Sequence, residues 1–511
     1  MRDRWIAAAL GLGGLALGLP YALSAGFVYD DWYLVSHQIL GPPITGIYIG
    51  LGPARALAIE GALFRADAHL YYAAAAVIFS LAVVILFVAL RALRVDQVCA
   101  AIAATLVLVF PAADSLRLWY AANVTVALAA LLALLGIVAG AHWIECRSRP
   151  RVWLAASLLL WAGAISCYFS VVVLMTLPIA LIPLSPQRRR ALLNFVMNFA
   201  LGVVCLAVIL PSSLTAQYHA NWALSAYPGR AWALWTAGFQ FLIVGPFGHV
   251  TVATLALGFA AACLAAVFYV ILTRVEGPRR RPATHAGRQL TAVGLLLVGT
   301  LAAWTPLIPA NAYYTPSTLG VGNRVNGFAQ IFLLSAVAML VTTLAGLAGR
   351  LLRQPVVSIA TAVGFGMLLV ASCLPQTLSH AQGYSDAATQ RNSILAMVTA
   401  LARAPMPGTT VLIGDYNAYK SQNWIPVFAS TYDFDGALQM IYGDPTLVGF
   451  PVLPGFSCTP TGLGGLPNAT SAIPYGGLIV VDIGRRRTDS LKDLDTCRAL
   501  LPGLLTRLYP S

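Results

Sequence analysis

The feature that most constrains this chain is a series of apolar stretches, most of them about 18 to 22 residues long, the length that a helix needs to cross a bilayer. Only 10% of the 511 residues are charged, and hydrophobic residues make up 59%. A water-soluble globular protein needs more charge to cover its surface. The pattern therefore predicts an α-helical polytopic membrane protein, and the long Leu, Ala and Val stretches exclude an outer-membrane barrel, whose strands alternate over about ten residues.

We predict eleven transmembrane helices. The segment 152–183 lies between two basic stretches and must cross an even number of times, so we divide it near Cys167 into two short helices. The segment 231–247 is rich in Trp and Phe and is predicted to lie in the outer interface. The predicted spans are 5–25, 71–90, 98–112, 122–143, 152–166, 169–183, 191–210, 249–272, 289–309, 325–348 and 355–375.

The basic residues determine the expected orientation. With a cytoplasmic N-terminus, seventeen arginines fall in the inner segments and five in the outer loops of the membrane part. This asymmetry follows the positive-inside rule. The net charge of +13 is therefore explained by topology, and no nucleic-acid partner is expected. We predict a multi-pass protein of the bacterial inner membrane whose C-terminal part is extracytoplasmic.

Two adjacent carboxylates, Asp30 and Asp31, follow the first apolar helix within the sequence Tyr29-Asp30-Asp31-Trp32. Burying charge at a membrane boundary is costly, so such a pair indicates function. Its alternative use is as a solvated loop pair that caps a helix. The outer loop that follows contains short amphipathic pieces, which we predict to be helices lying along the membrane surface.

The composition changes near Pro375, where Asp, Gly and Pro become frequent. Two short apolar stretches, 411–415 and 478–482, each end in a carboxylate and are predicted to be buried strands. Helices are expected over 387–404 and 489–500. We therefore predict two domains, a transmembrane domain over 1–375 with outer loops and a small extracytoplasmic α/β domain over 376–511. A disulfide between Cys458 and Cys497 and two reduced thiols are both compatible with this compartment.

An outward-facing carboxylate pair suits glycosyl transfer from a lipid-linked donor. An acceptor hydroxyl must lose a proton as the anomeric carbon is attacked, and a carboxylate within hydrogen-bonding reach serves as the general base. Its neighbour can orient the acceptor or hold a divalent cation such as Mg²⁺ or Mn²⁺. The departing polyprenyl phosphate needs a cation at the membrane surface, and arginine binds phosphate bidentately.

On these residues the chain resembles the GT-C superfamily of polytopic membrane glycosyltransferases. The motif Tyr29-Asp30-Asp31-Trp32 carries the resemblance, together with its place after the first helix, the eleven-helix layout and the outer C-terminal domain. The resemblance implies a polyprenyl-phosphate sugar donor and inversion at the anomeric carbon. It assigns Asp30 as the catalytic base and Asp31 as its partner or a metal ligand, with Tyr29 and Trp32 beside the acceptor.

Further candidates lie in the other outer loops. Asp114 resembles the second acidic residue of this superfamily, with an i,i+3 surface pair with Arg117 as the alternative. Arg324 at the head of the tenth helix is a candidate for binding the donor phosphate, because helix N-termini expose N–H groups, and Arg117 and Arg55 are further candidates. The alternative for Arg324 is an interfacial arginine whose head group reaches toward water.

The predicted enzyme transfers a sugar to a glycan, lipid or protein acceptor of the cell envelope, at the outer face of the membrane. Two other classes stay open. A transporter or flippase of lipid-linked solutes would carry charged residues near the middle of its helices, whereas the ionisable residues here gather at the outer rim. A non-catalytic envelope scaffold would tolerate the loss of Asp30.

Overall fold

A computed structural model describes residues 2–41, 51–145, 150–185, 187–216, 224–247, 251–276, 286–309, 314–317, 320–420, 425–465 and 472–507. Residues 42–50 of the first outer loop and the outer-loop residues 310–313 lie outside this part. The main helices, numbered α1 to α15, are Arg2–Ala22, Asp30–Leu40, Leu51–Phe64, Ala68–Ala92, Gln97–Val109, Leu128–Glu145, Pro150–Cys167, Arg188–Ala216, Tyr227–Phe239, Val252–Glu276, Ala286–Ala302, Gly327–Leu351, Pro355–Leu401, Thr431–Tyr442 and Leu494–Leu504.

The fold class predicted from the sequence is confirmed, since a helical membrane-type bundle carries a small C-terminal sheet. Each of the eleven predicted spans falls on a helical segment. Within the described ranges, seven helices are long and apolar enough to cross a membrane: Asp3–Ala22, Ala68–Ala92, Tyr120–Glu145, Pro150–Cys167, Ala286–Leu307, Gly322–Leu351 and Pro355–Leu401.

Helix length accounts for two of the four predicted spans that are not among these seven, whereas the other two lie on α8 and α10, with 29 and 25 residues. The α5 helix has only 13 residues, a length of about 20 Å, which does not cross the bilayer core by itself. The predicted helix over 169–183 is mostly 3₁₀, with Phe169–Thr176 in that form. Such tight helical turns occur in short pieces and suit an element packed inside a bundle.

Two surface helices in the first outer loop, α2 and α3, correspond to the short amphipathic pieces expected there. The last membrane helix, α13, runs for 47 residues, or roughly 70 Å. It passes through Pro375 and includes most of the segment 387–404 that was predicted as a separate helix. A proline inside a helix removes one backbone donor, and here the helix continues beyond it. The boundary predicted at 375/376 thus falls inside α13.

The C-terminal part contains eight strands, β1 to β8: Thr410–Gly414, Tyr419–Lys420, Ile425–Pro426, Val448–Pro451, Ser457–Thr459, Gly462–Gly464, Leu478–Asp482 and Arg487–Ser490. Four of them form a sheet in the order β4-β1-β7-β8, with β1 parallel to β4 and β7, and β8 antiparallel to β7. Both predicted strands, β1 and β7, are therefore adjacent in this sheet. The predicted helix over 489–500 begins later, at Leu494, because Asp493 caps it.

A disulfide joins Cys458 to Cys497, with 5.9 Å between their Cα atoms. It connects β5 to α15, and Cys497 is fully buried in a small apolar cluster with Leu412, Val480 and Leu501. The bridge closes a long loop of the C-terminal part and stabilises the packing of α15 against the sheet. Of the two alternatives that the sequence left open, the structure has the bonded one.

Candidate active site at the start of the second helix

The two carboxylates at the start of α2 have different surroundings. Asp31 is fully buried, and both of its oxygens accept hydrogen bonds. Oδ2 accepts from the backbone N–H of Val28 at 3.0 Å and from the Tyr72 hydroxyl at 2.7 Å, and Oδ1 accepts from the N–H of Ala121 at 2.8 Å. Asp31 therefore joins the start of α2 to α4 and to the second outer loop.

Asp30 is the accessible carboxylate of the pair. Its side chain is 29% exposed, and Oδ2 lies 3.8 Å from a terminal guanidinium nitrogen of Arg324. Its carboxylate also forms a side-chain hydrogen bond with Tyr432. Loss of solvation raises the pKa of Asp30, while Arg324 and Tyr432 oppose part of that rise. Asp30 is thus able to contact a substrate directly and to accept a proton from it.

The backbone immediately before the pair is strained. Tyr29 has φ 51° and ψ −114°, a conformation that a bulky residue rarely adopts and that costs about 1–3 kcal/mol. The Tyr29 ring lies edge-on to the rings of Trp119, with centroids 6.4 Å apart, and of Tyr432, 5.1 Å apart. Contacts with two other parts of the chain hold this turn. Strain of this kind is concentrated at functional sites.

Arg324 lies in a 3₁₀ segment, Val321–Asn326, that leads directly into α12. Its guanidinium carbon is 4.8 Å from the ring centroid of Trp119 and 5.3 Å from that of Tyr314. Its side chain is only 12% exposed. Cation–π contacts with two rings hold the guanidinium plane at the edge of the site, near Asp30.

Asparagines on the same 3₁₀ segment attach it to the second outer loop. The Asn323 amide donates to Asp114 Oδ1 at 2.6 Å, and its oxygen accepts from the N–H of Ser115 at 3.2 Å. The Asn326 amide donates to the carbonyl of Ala112 at 2.6 Å. These bonds are buried, so they fix the backbone from which Arg324 projects.

Asp114, predicted as the second acidic residue of the site, belongs to this support. It is 2% exposed, and its carboxylate contacts the Asn323 amide and the Nδ1 atom of His380 on α13. The carboxylate thus joins three segments that are far apart in the sequence. Its surroundings favour a positioning role, and the predicted contact with the acceptor stays a prediction.

The two other arginines predicted to bind phosphate lie elsewhere. Arg117 is 3% exposed, donates to the carbonyl of Leu108 at 2.9 Å and lies 5.8 Å from the Phe79 ring centroid. It packs inside the bundle, so binding a phosphate would require it to leave these contacts. Arg55 is exposed on α3. Arg324 is the one of the three that contacts Asp30.

Trp32, predicted to lie beside the acceptor, is 8% exposed and packs between two parts of the chain. Its ring is 5.1 Å from that of Phe27 and 6.5 Å from that of Phe428 in the C-terminal part. Where α14 crosses α2, a Cβ atom at Gly436 would lie only 2.6 Å from the Trp32 carbonyl oxygen. The absence of a side chain at Gly436 allows this close crossing, which brings Tyr432 to Asp30.

Sequence reasoning missed three residues that build the site. No sequence motif marks Tyr432 as a partner of Asp30. His380 lies in the stretch after Pro375, where no motif marked it. Arg391 lies in the predicted helix over 387–404. It is 1% exposed and donates to the carbonyls of Pro426 at 2.7 Å and Gly26 at 3.4 Å. The available signal was the presence of a histidine and an arginine in the segment that forms the second half of α13.

Comparisons with solved structures give similarities at low sequence identity. The oligosaccharyltransferase of Archaeoglobus fulgidus, solved with a tethered acceptor peptide, has a TM-score of 0.44 and 13% identity, covering 88% of this chain and 63% of that chain. ArnT from Cupriavidus metallidurans, bound to undecaprenyl phosphate, has a TM-score of 0.44 and 14% identity, covering 99% and 96%. Arabinofuranosyltransferase AftD from Mycobacteria has a TM-score of 0.43 and 14% identity, covering 88% and 32%.

The chain therefore spans less than two thirds of the length of the archaeal oligosaccharyltransferase. A scan against protein-family models and a search of curated proteins give no match.

A divalent cation was considered for Asp31, and the archaeal oligosaccharyltransferase has also been solved with Zn and sulfate, at a TM-score of 0.42 and 13% identity. In the described part of this chain, no three His, Cys, Asp or Glu side chains come together as metal ligands. Both Asp31 oxygens already accept hydrogen bonds, and Asp30 faces an arginine. These donors do not fit a divalent cation, so no chemical step is assigned to one.

Proposed function

We propose that this protein is an inverting membrane glycosyltransferase that moves one sugar from a polyprenyl-phosphate donor to an acceptor of the cell envelope. The observation that carries the proposal is the pair formed by Asp30 and Arg324, with 3.8 Å between Oδ2 and a guanidinium nitrogen. Asp30 begins α2, Arg324 lies in the short 3₁₀ segment that leads into α12, and both side chains are partly exposed. A proton acceptor and a phosphate-binding cation are the two groups that this reaction requires.

In the reaction, the acceptor hydroxyl donates its proton to Asp30 as its oxygen attacks the anomeric carbon. The bond between that carbon and the phosphate oxygen breaks, and its electron pair stays on the phosphate. Polyprenyl phosphate leaves with an added negative charge, which Arg324 stabilises. The attack comes from the side opposite the phosphate, so the configuration at the anomeric carbon is inverted.

Asp30 has the properties of a general base in this reaction. Its raised pKa makes it a stronger base than a solvated aspartate, which improves proton transfer near neutral pH. Asp31 holds the backbone on which Asp30 is placed, through three hydrogen bonds. Asp31 is therefore a positioning residue in this proposal, and Asp30 is the catalytic one.

Arg324 has two partners in succession in this scheme. Without donor it faces Asp30, and the donor phosphate, whose two free oxygens can both accept hydrogen bonds from a guanidinium, competes for the same group. Transfer of Arg324 to the phosphate leaves Asp30 free to accept the hydroxyl proton. The rings of Trp119 and Tyr314 hold the guanidinium through this exchange.

The C-terminal part is proposed to take part in acceptor binding, because α14 places Tyr432 against Asp30. We place the site at the outer face of a bacterial inner membrane, with the N-terminus in the cytoplasm, following the arginine distribution. The acceptor belongs to the class of envelope glycans, lipids or proteins with an accessible hydroxyl group.

The test is sugar transfer from polyprenyl-phosphate sugars in membranes that contain matched amounts of each variant. Asp30→Asn is expected to abolish transfer while the apparent Tm of the purified protein stays close to that of the wild type. Asp495→Asn, which changes an exposed carboxylate on α15, is the control and should keep full activity. Each variant is assayed with and without a chelator, which tests a metal requirement directly.

Full transfer by Asp30→Asn would exclude Asp30 as the base and direct attention to Asp114. Loss of transfer only in Asp31→Asn and after chelation would indicate a metal-dependent mechanism. If the wild type transfers no sugar from any polyprenyl-phosphate donor, the glycosyltransferase proposal fails, and transport or scaffolding assays become the appropriate ones.

A further inference from the structure

A cavity lies at the end of the bundle opposite Asp30. The helix α4 runs from the Asp31 partner Tyr72 to Arg91, and α12 runs from the segment of Arg324 to Arg350. Helices of 25 residues are about 37 Å long. The cavity that we call the distal cavity has a volume of about 640 Å³ and lies between the ends of α4, α5, α11, α12 and α13.

The distal cavity has a cationic rim. Arg91, Arg94 and Arg350 line it, and Asp96 is the carboxylate among its lining residues. Arg91 is 3.3 Å from a carboxylate oxygen of Asp3, and Arg94 is 2.6 Å from one of Glu145. These ion pairs hold two of the guanidinium groups in place at the opening. Arginine in a fixed orientation is well suited to bidentate binding of phosphate oxygens.

Apolar side chains form another part of the cavity wall. Met339 and Leu347 of α12 and Ile359 of α13 line it, with Gln289 of α11 as a further polar wall residue. Thr343 donates to the Gln289 side-chain oxygen at 3.3 Å, so the amide group of Gln289 is oriented by a neighbour. A cationic rim beside apolar walls matches a molecule that carries a phosphate and a hydrocarbon chain.

We infer that the distal cavity binds the phosphate-bearing headgroup of a membrane phospholipid, with an acyl chain along the walls formed by α12 and α13. Arg91, Arg94 and Arg350 follow the predicted inner ends of the spans 71–90 and 325–348, and phospholipid phosphates lie at that depth of a bilayer. Free inorganic phosphate offers the same anionic group and would use the rim alone. The inference is independent of the glycosyl transfer proposed above.

Gly346 offers a variant that fills the cavity without disturbing the fold. It lines the cavity on α12, and a Cβ atom built there meets no other atom within 4 Å. Leucine also has a better helix propensity than glycine. Gly294 on α11 likewise has open space around its Cβ position and does not line the cavity, so Gly294→Leu is the matched control.

A second pair of variants tests the rim. Arg350→Gln removes one cation of the cavity, and Arg353→Gln removes an exposed cation three residues further on, outside the lining. The loss of a charge-assisted hydrogen bond to phosphate is expected to weaken binding by about tenfold or more. Both pairs are made in the full chain, purified in detergent and stripped of lipid.

The experiment measures bound lipid by native mass spectrometry and the apparent Tm during titration with phosphatidylglycerol in mixed micelles. A ligand that binds the folded state raises the apparent Tm with its concentration. The wild type, Gly294→Leu and Arg353→Gln are expected to bind one lipid and to gain stability. Gly346→Leu and Arg350→Gln are expected to lose both effects while keeping the lipid-free Tm of their controls.

Parallel titrations use inorganic phosphate and uncharged detergent alone. Stabilisation by inorganic phosphate equal to that by phosphatidylglycerol, and unchanged in Gly346→Leu, would assign the rim to free phosphate and overturn the lipid assignment. Equal lipid binding by Gly346→Leu and Gly294→Leu would show that lipid binds elsewhere and would also overturn it. Equal stabilisation by an uncharged detergent would show that the cavity binds hydrocarbon without a phosphate, and it would overturn the headgroup assignment.

Discussion

Arg324 provides the sharpest test of the proposed site, because its charge and its shape can be changed separately. Arg324→Lys keeps the positive charge beside Asp30 but removes the planar guanidinium. Arg324→Gln removes the charge as well. The structure places this group between the rings of Trp119 and Tyr314, at 4.8 and 5.3 Å from their centroids, and 3.8 Å from Asp30.

The expected size of the effect follows from these contacts. Weakened cation–π contacts with two rings cost about 1 kcal/mol at a site that is partly exposed. Replacing a bidentate hydrogen bond to the leaving phosphate with a single one costs about 2 kcal/mol more. Together these amount to about 3 kcal/mol, which corresponds to a loss of roughly 150-fold in kcat/KM.

The dependence of kcat/KM on pH separates the two variants. Because Arg324 lowers the pKa of Asp30, its removal in Arg324→Gln is expected to raise that pKa further. The acid limb of the profile, where the base becomes protonated, therefore moves to higher pH. Arg324→Lys retains the charge, so its acid limb should stay near that of the wild type although its rate is lower.

The assay is initial-rate sugar transfer across a pH series, with purified protein and a short-chain polyprenyl-phosphate sugar. Arg65→Lys, at an exposed arginine of the first outer loop, is the control and should behave as the wild type. Activity of Arg324→Lys within a factor of about three of the wild type would refute the phosphate-binding role. An unshifted acid limb in Arg324→Gln would refute the coupling between Arg324 and Asp30.

Three further outcomes are expected. Gly436→Ala should lower activity and expose the C-terminal part to protease, because its Cβ would meet the Trp32 carbonyl oxygen at 2.6 Å; an unchanged cleavage pattern would contradict this. Reducing the disulfide between Cys458 and Cys497 should destabilise the C-terminal part by about 4 kcal/mol. The expected result is faster proteolysis of this part with reductant than without it, and equal proteolysis rates would contradict the prediction. Burial raises the pKa of Asp31 to about 7, so between about pH 4 and 7 the folded chain binds a proton that the unfolded chain lacks. The free energy of unfolding therefore falls as pH rises through this window. Asp31→Asn should flatten that part of the dependence of Tm on pH, and an identical slope in both proteins would refute the prediction.

Local patterns in the sequence were sufficient for the class of protein and for several elements. Apolar stretches and arginine asymmetry predicted a helical membrane bundle, and two short apolar runs predicted the strands β1 and β7. The Asp30-Asp31 pair stood out because charge is rare in such a chain. Each of these signals is contained within about 20 residues, the range over which helix and strand periodicity acts.

The different surroundings of similar residues could be seen only in the tertiary structure. Asp30 and Asp31 are adjacent and chemically equivalent in the sequence, yet one faces Arg324 and the other is buried among hydrogen-bond donors. Arg117 and Arg324 both occur in predicted outer loops, and packing places only Arg324 at the site. No sequence periodicity reports on these contacts, because they depend on how segments hundreds of residues apart come together.

The sequence by itself therefore determined the membrane class, the orientation expected from charge, and the stretch where chemistry is expected. The tertiary structure decided which carboxylate is accessible, which arginine accompanies it, and that Tyr432 of the C-terminal part contacts Asp30. The physical reason is that hydrophobic and charge patterns are local averages, whereas a site is a set of individual contacts selected by close packing of distant segments.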